Sequence, residues 1–467
     1  MRTRVAVLAV LVLAAAASAC TGNSVTGPGG SVTASSGAVT SAGTGTTATQ
    51  AGSGTAGISV TGTDLVTGTG TVSGTGTATG ISVPTAPTSP SGTAPALSTT
   101  PVPVTPDGLA TGPGVTTSTI TLGLLVDPGL DRGFTSGVAL WQHTLNTNGG
   151  VCGRMVEFTV AGQRDIPSDL ASAYLTMGRR VLGLITLAAD RDRSVLAELA
   201  GGDGVPALTP SGTSEQLRRR GPVVIGPTVD ILAINALDYL VGKDLAPEDR
   251  VGVLTNGSAT AQDELSGLAW QAAQTGIQLE VHSTDEDVSW DGVAAVVSLA
   301  GPAETERLLT VPAGLTVITT VDGFDPALVS DADSSRLLVV MPTPAFDSDH
   351  PAVTAVATAF QREGGTDPGP RVLAGYATAA TWGRVLAEAC ADLALTRTGV
   401  NAALAAIGPA PVDGLLGPAD PGLVVTQHLP ATRLSAIAVA DPTAPTGLRG
   451  LTWLQAAGDI GDYTPGG

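Results

Sequence analysis

Lysine and aromatic residues are scarce in this sequence. Among 467 residues there is a single lysine, Lys243, aromatic residues make up 3%, and the formal net charge at pH 7 is −19. Proteins that bind nucleic acid use clustered lysine and arginine to neutralise phosphates. This composition therefore argues against nucleic acid as a partner, and the acidity favours solubility.

Patterns that carry catalysis or bind metals are also missing. The four histidines are scattered without the spacing of a metal site. Ser211 is not in a Gly-x-Ser-x-Gly elbow, because Thr209 and Pro210 precede it. Gly201–Gly204 lacks the lysine of a phosphate-binding loop, and we interpret the charge run Asp190–Arg193 as a solvated face. We predict no catalytic residue, metal or cofactor, and an enzyme is the third hypothesis.

The first residues have the pattern of an export signal. Arg2 and Arg4 precede an apolar run that is shorter than the about 20 residues of a membrane-spanning helix. The ending Ala17-Ser18-Ala19-Cys20 resembles the lipobox of bacterial lipoproteins, in which the signal is removed before the cysteine and the cysteine is diacylated. The resemblance implies a signal peptide over 1–19 and a lipid anchor on Cys20, at the extracytoplasmic face of the cell membrane. An ordinary cleaved signal is the alternative.

Residues 20–117 are rich in Gly, Thr, Ser, Ala and Pro and contain almost no large hydrophobic side chain. Such a segment cannot bury enough apolar surface to offset its conformational entropy. We predict a disordered tether with a reach of about 50–60 Å, long enough to hold a folded domain away from a membrane.

From Ser118 onward, apolar runs alternate with helical periodicity. The runs Thr119–Val126, Met155–Val160, Val205–Thr209 and Arg250–Thr255 read as strands separated by helices. This alternation is typical of parallel, doubly wound sheets. About 350 residues are more than a single hydrophobic core usually accommodates. We predict an α/β protein with two doubly wound, Rossmann-like lobes that hold a ligand in the cleft between them and close by a hinge.

The loop Pro210–Ser214 is rich in hydroxyl groups and follows a predicted strand. Ligands of parallel α/β sheets bind at the carboxyl ends of strands. Ser211, Gly212 and Thr213 can offer hydroxyl and backbone N–H donors to a carboxylate. The alternative is an ordinary turn into a helix, with Thr213 or Ser214 as its N-cap.

The order of these segments resembles the type I periplasmic binding proteins, in particular the branched-chain amino acid binding component of ABC transporters. The resemblance rests on TITLGLLVDPG, LNTNGGVCGRMVEF, GVPALTPSGTS, RVGVLTNG and RVLAGYATAATWGRVLAEA, and it spans Ser118 to Gly450. In that family the chain crosses three times between lobes. The resemblance therefore implies a lobe I over 118–227 and 340–420 and a lobe II over 228–339 and 421–467.

The resemblance also implies ligand contacts. Ser211 and Thr213 match the loop that binds the carboxylate or ammonium of an amino acid, and Asp322 matches an acidic residue that pairs with the ammonium. A buried zwitterion needs both kinds of partner, because a desolvated charge is tolerable only beside an opposite charge or several hydrogen bonds. For Asp322, the alternative is a turn-forming role before Gly323.

Three expected contacts depart from the family. Ala188-Ala189-Asp190 stands where a Gly-Ser or Ser-Ser pair is usual, so the contact at Ala189 lacks a hydroxyl. The aromatic residue that often caps the ligand in that family is missing from 127–133, and Phe134 or Arg132 is the candidate to replace it. The usual tyrosine of the family is missing from 256–262. The ligand is therefore an amino acid or a similar small polar solute, without commitment to leucine, isoleucine or valine.

Cys152 and Cys390 remain once Cys20 is assigned to the anchor. Two cysteines in an exported domain suggest a disulfide, and the resemblance places both in lobe I. Two buried thiols are the alternative.

We therefore predict a lipid-anchored extracytoplasmic protein that binds a small-molecule solute, closes on it by a hinge and delivers it to the permease of an ABC transporter. The alternative is a ligand sensor without a transport role, or a degenerate binding module that docks another envelope protein.

Overall fold

The computed structural model describes residues 108–163, 165–219, 221–243, 245–310, 314–329, 334–407, 414–417 and 429–466. The predicted signal peptide, Cys20 and most of the predicted tether lie outside these residues. So does the start of the C-terminal segment assigned to lobe II, residues 421–428.

The strands and helices alternate along most of the described chain. The strands are β1 (Ala110–Thr111), β2 (Thr119–Val126), β3 (Met155–Val160), β4 (Leu184–Leu187), β5 (Ala207–Thr209), β6 (Val223–Val224), β7 (Arg250–Thr255), β8 (Gln278–Ser283), β9 (Ala295–Leu299), β10 (Thr316–Thr320), β11 (Leu337–Met341), β12 (Ala394–Leu395), β13 (Ala436–Ala440) and β14 (Leu448–Gly450). The α-helices are α1 (Pro128–Asp131), α2 (Phe134–Thr147), α3 (Leu170–Met177), α4 (Asp190–Gly202), α5 (Val229–Lys243), α6 (Ala259–Thr275), α7 (Pro302–Leu309), α8 (Pro351–Arg362), α9 (Val372–Ala391) and α10 (Arg397–Ile407). Short 3-10 helices cover Ser214–Arg218, Pro326–Leu328, Ser334–Arg336 and Ile460–Asp462.

The first sheet has five parallel strands in the order β3-β2-β4-β5-β6. Both faces are buried, which explains why β2 reads as the nearly continuous apolar run TITLGLLV. Successive side chains of a strand point to opposite faces. Leu124 accordingly packs in one core with Phe134 and Trp382, whereas Leu125 packs in a second core with Tyr174. We call this sheet and its covering helices lobe I.

The second sheet has seven strands in the order β14-β13-β11-β10-β9-β7-β8. Strands β7 to β11 are parallel, and β13 runs antiparallel to both of its neighbours. Its two faces also bury separate cores: Val297 of β9 belongs to one and Val296 to the other. We call this sheet, with α5, α6 and α7, lobe II. The predicted fold class, two doubly wound α/β lobes, is confirmed.

Two described connections carry the chain between the lobes. The segment between β6 and α5 leads from lobe I to lobe II, and the segment between β11 and α8 leads back. Gly226 in the first connection packs closely against the loop after β5: a Cβ at this position would lie 2.2 Å from the carbonyl oxygen of Pro210. The first connection is therefore fixed against the loop that carries the hydroxyl groups.

Residues 108–117 belong to the folded structure, although the sequence pattern assigned them to the tether. Strand β1 pairs in parallel with β12 of lobe I, and Val115 forms a bridge with Ile120. Within 108–117 the paired strand consists only of Ala110 and Thr111, so it leaves no hydrophobic run in that segment.

The predicted disulfide is confirmed. Cys152 and Cys390 form a disulfide between the turn before β3 and helix α9, with their Cα atoms 6.3 Å apart. The two cysteines are 238 residues apart in the sequence, so the bond removes a large loop-closure entropy from the unfolded chain.

Within the described ranges, no helix has the length and apolar character needed to cross a membrane.

Candidate functional site

A cavity of about 150 Å³ lies between the two lobes. Lobe I contributes Leu130 and the N-terminal end of α4, and lobe II contributes the N-terminal half of α6 and the residues that follow β9 and β10. The cavity therefore lies at the carboxyl ends of parallel strands, where α/β proteins bind ligands. Pockets for drug-sized molecules are usually about 300–1,000 Å³, and a cavity of about 150 Å³ accommodates a molecule the size of benzene.

Asp190 and Arg193 form the charged wall of lobe I. Arg193 Nη1 lies 3.0 Å from Asp190 Oδ1, and its Nη2 donates to the carbonyl of Ala188 at 3.1 Å. Both side chains also reach across the cleft to Thr260 of α6: Arg193 donates to the Thr260 hydroxyl at 2.6 Å, and Thr260 N–H donates to Asp190 at 3.1 Å. The interpretation of this charge run as a solvated face is thus wrong for Asp190 and Arg193.

The pKa of Asp190 lies below its ordinary value. Burial opposes ionisation, but the hydrogen bonds from Thr260 and the positive charge of Arg193 outweigh it. Asp190 is also in the first turn of α4, where the helix dipole favours a negative charge. The lobe I wall therefore carries an ionised carboxylate whose charge Arg193 already balances.

Glu264 of α6 lines the lobe II side of the cavity and is 3% exposed. No described cation lies within ion-pair distance of its carboxyl group. Burial, followed by the negative charges of Asp322 and Asp263, raises the pKa of Glu264 well above its ordinary value. A hydrogen bond from the Thr320 hydroxyl and the positive charge of Arg193 offset only part of that increase. Glu264 is therefore a buried carboxyl group that lacks a charged partner.

Asp322 follows β10 and lines the same cavity. It forms an ion pair with Arg371, a buried residue at the N-terminus of α9 in lobe I. Arg132 of lobe I donates to the neighbouring carbonyl of Val321 at 3.2 Å. Burial opposes ionisation of Asp322, but the charges of Arg371, Arg193 and Arg132 lower its pKa overall.

The hydroxyl-rich loop after β5 makes its hydrogen bonds within the protein. The Ser211 hydroxyl donates to the carbonyl of Pro227 at 2.8 Å. Thr213 is the N-cap of the 3-10 helix Ser214–Arg218 and forms a capping box with Gln216. The alternative of a turn with Thr213 as N-cap is thus observed, and neither Ser211 nor Thr213 lines the cavity.

The next residue of this loop, Ser214, binds a carboxylate that belongs to lobe II. Its backbone N–H donates to Asp263 Oδ2 at 2.7 Å, and its hydroxyl donates to Asp263 Oδ1. Burial, together with the charge of Asp230, raises the pKa of Asp263 to about 6, although the hydrogen bonds from Ser214 oppose the increase. The loop predicted to bind a carboxylate does bind one, but the carboxylate is the protein's own.

The five ligand contacts proposed from the sequence are thus separated in space. Ala189 and Asp322 lie at the cavity, whereas Ser211, Thr213 and Phe134 do not. Phe134 is the first residue of α2 and is fully buried in the core of lobe I. Among the described residues, no group of three or more His, Cys, Asp or Glu side chains is arranged to hold a metal ion.

Sequence reasoning missed Glu264, although a weak signal was present. Glu264 lies three residues after Ala261 and four before Leu268, and both of these residues are buried on the inner face of α6. A charged residue on the apolar face of an amphipathic helix is unusual. That position could have marked Glu264 as a candidate.

Comparison with known proteins identifies the architecture. Residues 128–304 match the family model for a periplasmic binding protein. A fatty acid ABC transporter substrate-binding protein from Thermomonospora curvata superposes with a TM-score of 0.68 at 24% identity, over 78% of this chain and 98% of that chain. The chain therefore has the fold of the type I periplasmic binding proteins. The predicted resemblance is confirmed.

Two further type I periplasmic binding proteins differ in their bound ligands. A branched-chain amino acid ABC transporter protein from Thermus thermophilus with bound valine has a TM-score of 0.60 at 14% identity, over 74% of this chain and 98% of that chain. A solute-binding protein from R. palustris in complex with benzoate has a TM-score of 0.56 at 16% identity, over 73% and 97%. No curated protein matches the chain in sequence.

Proposed function

We propose that this chain is the solute-binding component of an ABC transporter and that it holds one small polar solute between its lobes. The interlobe cavity carries this proposal: it lies at the carboxyl ends of parallel strands and is lined by Asp190, Arg193, Glu264 and Asp322. The similar structures include a fatty acid ABC transporter protein and proteins with bound valine and benzoate, which supports a small solute.

Closure by a hinge is the mechanism that the contacts across the cleft support. Asp190 and Arg193 contact Thr260, and Arg371 contacts Asp322, so each contact joins lobe I to lobe II next to the cavity. These contacts stabilise the closed arrangement, and rotation about the connections between the lobes would break them. A solute that fills the cavity adds further contacts to the closed form and shifts the population towards it.

The envelope location belongs to the same proposal. The lipobox ending at Cys20 and the low-complexity residues that follow would place the two lobes on a lipid anchor, within reach of a membrane permease. Cell fractionation tests this location: we expect the full chain in the membrane fraction and a Cys20→Ala variant in the soluble extracytoplasmic fraction. Membrane retention of the variant would contradict the anchor while leaving solute binding untouched.

The test of solute binding is thermal unfolding of the full chain with a panel of amino acids, amines and small carboxylic acids. A solute at one hundred times its dissociation constant stabilises the folded state by about 2.7 kcal/mol, so at least one compound should raise Tm by several degrees. Leu130→Trp fills the cavity and should abolish that shift. Leu175→Trp, at a residue that is 66% exposed, is the matched control and should preserve it. No shift with any compound would contradict the proposal.

A docking module without a solute is the second candidate. The contact between Ser214 and Asp263 favours it, because the protein's own carboxylate occupies the loop that would otherwise bind a ligand. The thermal panel separates the two candidates, since a docking module should respond to no small molecule.

A further inference from the structure

The donors of the loop after β5 are already used by the protein. Ser214 gives both its N–H and its hydroxyl to Asp263, Ser211 gives its hydroxyl to Pro227, and the Thr213 N–H donates to Gln216 Oε1 at 2.9 Å. A ligand carboxylate at this loop would have to displace the carboxylate of Asp263. The displaced group is half-buried, so displacement would leave a partly desolvated charge without its hydrogen bonds.

The surroundings of Asp263 are also hostile to a second anion. Asp230 is fully buried nearby and accepts a hydrogen bond from the Tyr463 hydroxyl at 2.7 Å. The charge of Asp230 already raises the pKa of Asp263, and Glu264 follows directly on α6. Neighbouring negative charges disfavour a further negative group. Although the positive charge of Arg218 opposes them, these negative groups disfavour a carboxylate at this end of the cleft.

The cavity differs from the loop after β5. Its cation, Arg193, is already paired, whereas its buried acid, Glu264, forms no ion pair. Arg193 is engaged by Asp190, Thr260 and the carbonyl of Ala188. Glu264 is 3% exposed, faces the cavity and forms no ion pair with a described residue. A buried carboxylate is stable only beside a cation or several hydrogen bonds. In its ionised form, Glu264 therefore lacks a positively charged partner.

Building on the proposed function, we infer that the cavity binds a small organic ammonium ion that carries no carboxylate. Its ammonium group donates to the carboxylates of Glu264 and Asp322 and its apolar part contacts Leu130 and Leu299, which line the same cavity. This substrate class differs from the zwitterionic amino acid expected from the sequence, because the carboxylate half of that site is filled by Asp263.

Three probes that share an isobutyl skeleton test the inference by isothermal titration calorimetry on the full chain. Isobutylamine has the ammonium group alone, valine has both charged groups, and isovalerate has the carboxylate alone. We expect isobutylamine to bind at least tenfold more tightly than valine or isovalerate. Tighter binding of valine or isovalerate would overturn the inference and leave the proposed function standing, since a solute would still occupy the cleft. Absence of isobutylamine binding at millimolar concentration would also overturn it, and only failure of the whole thermal panel would remove the proposed function.

Glu264→Gln tests the residue. The substitution removes the negative charge and keeps the shape, so the affinity for isobutylamine should fall at least tenfold while Tm without ligand is maintained or raised. Glu198→Gln makes the same chemical change at an exposed position of α4 and should leave the affinity unchanged. Unaltered isobutylamine binding in Glu264→Gln would contradict the assigned role.

Discussion

The two ends of the interlobe cleft satisfy their polar groups in different ways. At the end near β5, which we call the filled end, Asp263 of lobe II binds Ser214 of lobe I, so the protein supplies both partners. At the end near β4 and β10, which we call the open end, Asp190, Arg193 and Asp322 also bridge the lobes. Glu264 faces the cavity there without a charged partner. In the proposed site, the group that lacks a charged partner is the buried Glu264, and it lies away from the hydroxyl-rich loop.

The largest expected effect is on stability at the open end. Asp322→Ala removes the partner of Arg371, which is 5% exposed, and leaves a buried charge uncompensated. Loss of one partner costs about 3–5 kcal/mol for a fully buried pair, and about 2 kcal/mol is expected here because the side chain of Asp322 is 38% exposed. Urea unfolding measures the effect, with Asp287→Ala as a control at an exposed position of lobe II. Equal stability of the two variants would show that this end does not hold the lobes together.

Removing the carboxylate at the filled end should change ligand preference. Asp263→Ala frees the N–H and hydroxyl of Ser214 for a ligand carboxylate. We expect the affinity for valine relative to isobutylamine to increase about tenfold, which corresponds to about 1.4 kcal/mol. Calorimetry with both ligands gives this ratio. An unchanged ratio would mean that Asp263 does not exclude carboxylates.

The pH dependence of the affinity for isobutylamine distinguishes Glu264 at the open end from Asp263 at the filled end. The pKa of Glu264 is raised in the empty protein, so an ammonium ligand binds the ionised form and releases a proton. Affinity should therefore rise with pH, by at most about tenfold per unit, until Glu264 is ionised without ligand. The charged groups that face Glu264 are Asp190 and Arg193 from α4, Asp263 from α6 and Asp322 after β10, whereas β9 presents Leu299, Ala300 and Gly301.

Calorimetry above pH 7 avoids the titration of Asp263, whose pKa is about 6. Glu264→Gln should abolish the rise of affinity with pH. A pH-independent affinity in the parent protein would contradict proton release from Glu264.

The smallest expected effects are those of substitutions at two helix caps, one at each end of the cleft. Thr213 caps the 3-10 helix at the filled end, and Ser258 caps α6 at the cavity. Loss of an N-cap side chain costs about 1 kcal/mol, so both Thr213→Ala and Ser258→Ala should lower the free energy of unfolding. Only Ser258→Ala should weaken isobutylamine binding. Weaker binding in Thr213→Ala would indicate that the loop after β5 contacts the solute after all.

Apolar periodicity predicted the central strands well. The bounds of β2, β3 and β7 agree with the sequence prediction, because strands buried on both faces read as continuous apolar runs. The runs for β1, β6, β12, β13 and β14 are short or rich in alanine, and they were not predicted as strands. The apolar run of β11, inside the second sheet, was also not predicted as a strand. The position of these strands depends on pairing with distant strands, which local sequence does not encode.

The candidate site was less predictable than the fold. Asp322 was identified only through the family resemblance, and its partner Arg371 lies 49 residues away in the other lobe. Asp190 and Arg193 looked like a solvated charge run, because their contact with Thr260 exists only when the lobes meet. Contacts between lobes are set by tertiary packing and have no fixed spacing in the sequence.

A crystal structure of the full chain with isobutylamine tests the central claim most directly. We expect density for the ligand between α6 and the residues after β10, with its nitrogen within about 3 Å of the Glu264 carboxylate and the contact between Ser214 and Asp263 intact. An empty cavity, or a ligand at Ser214 with Asp263 displaced, would contradict the account.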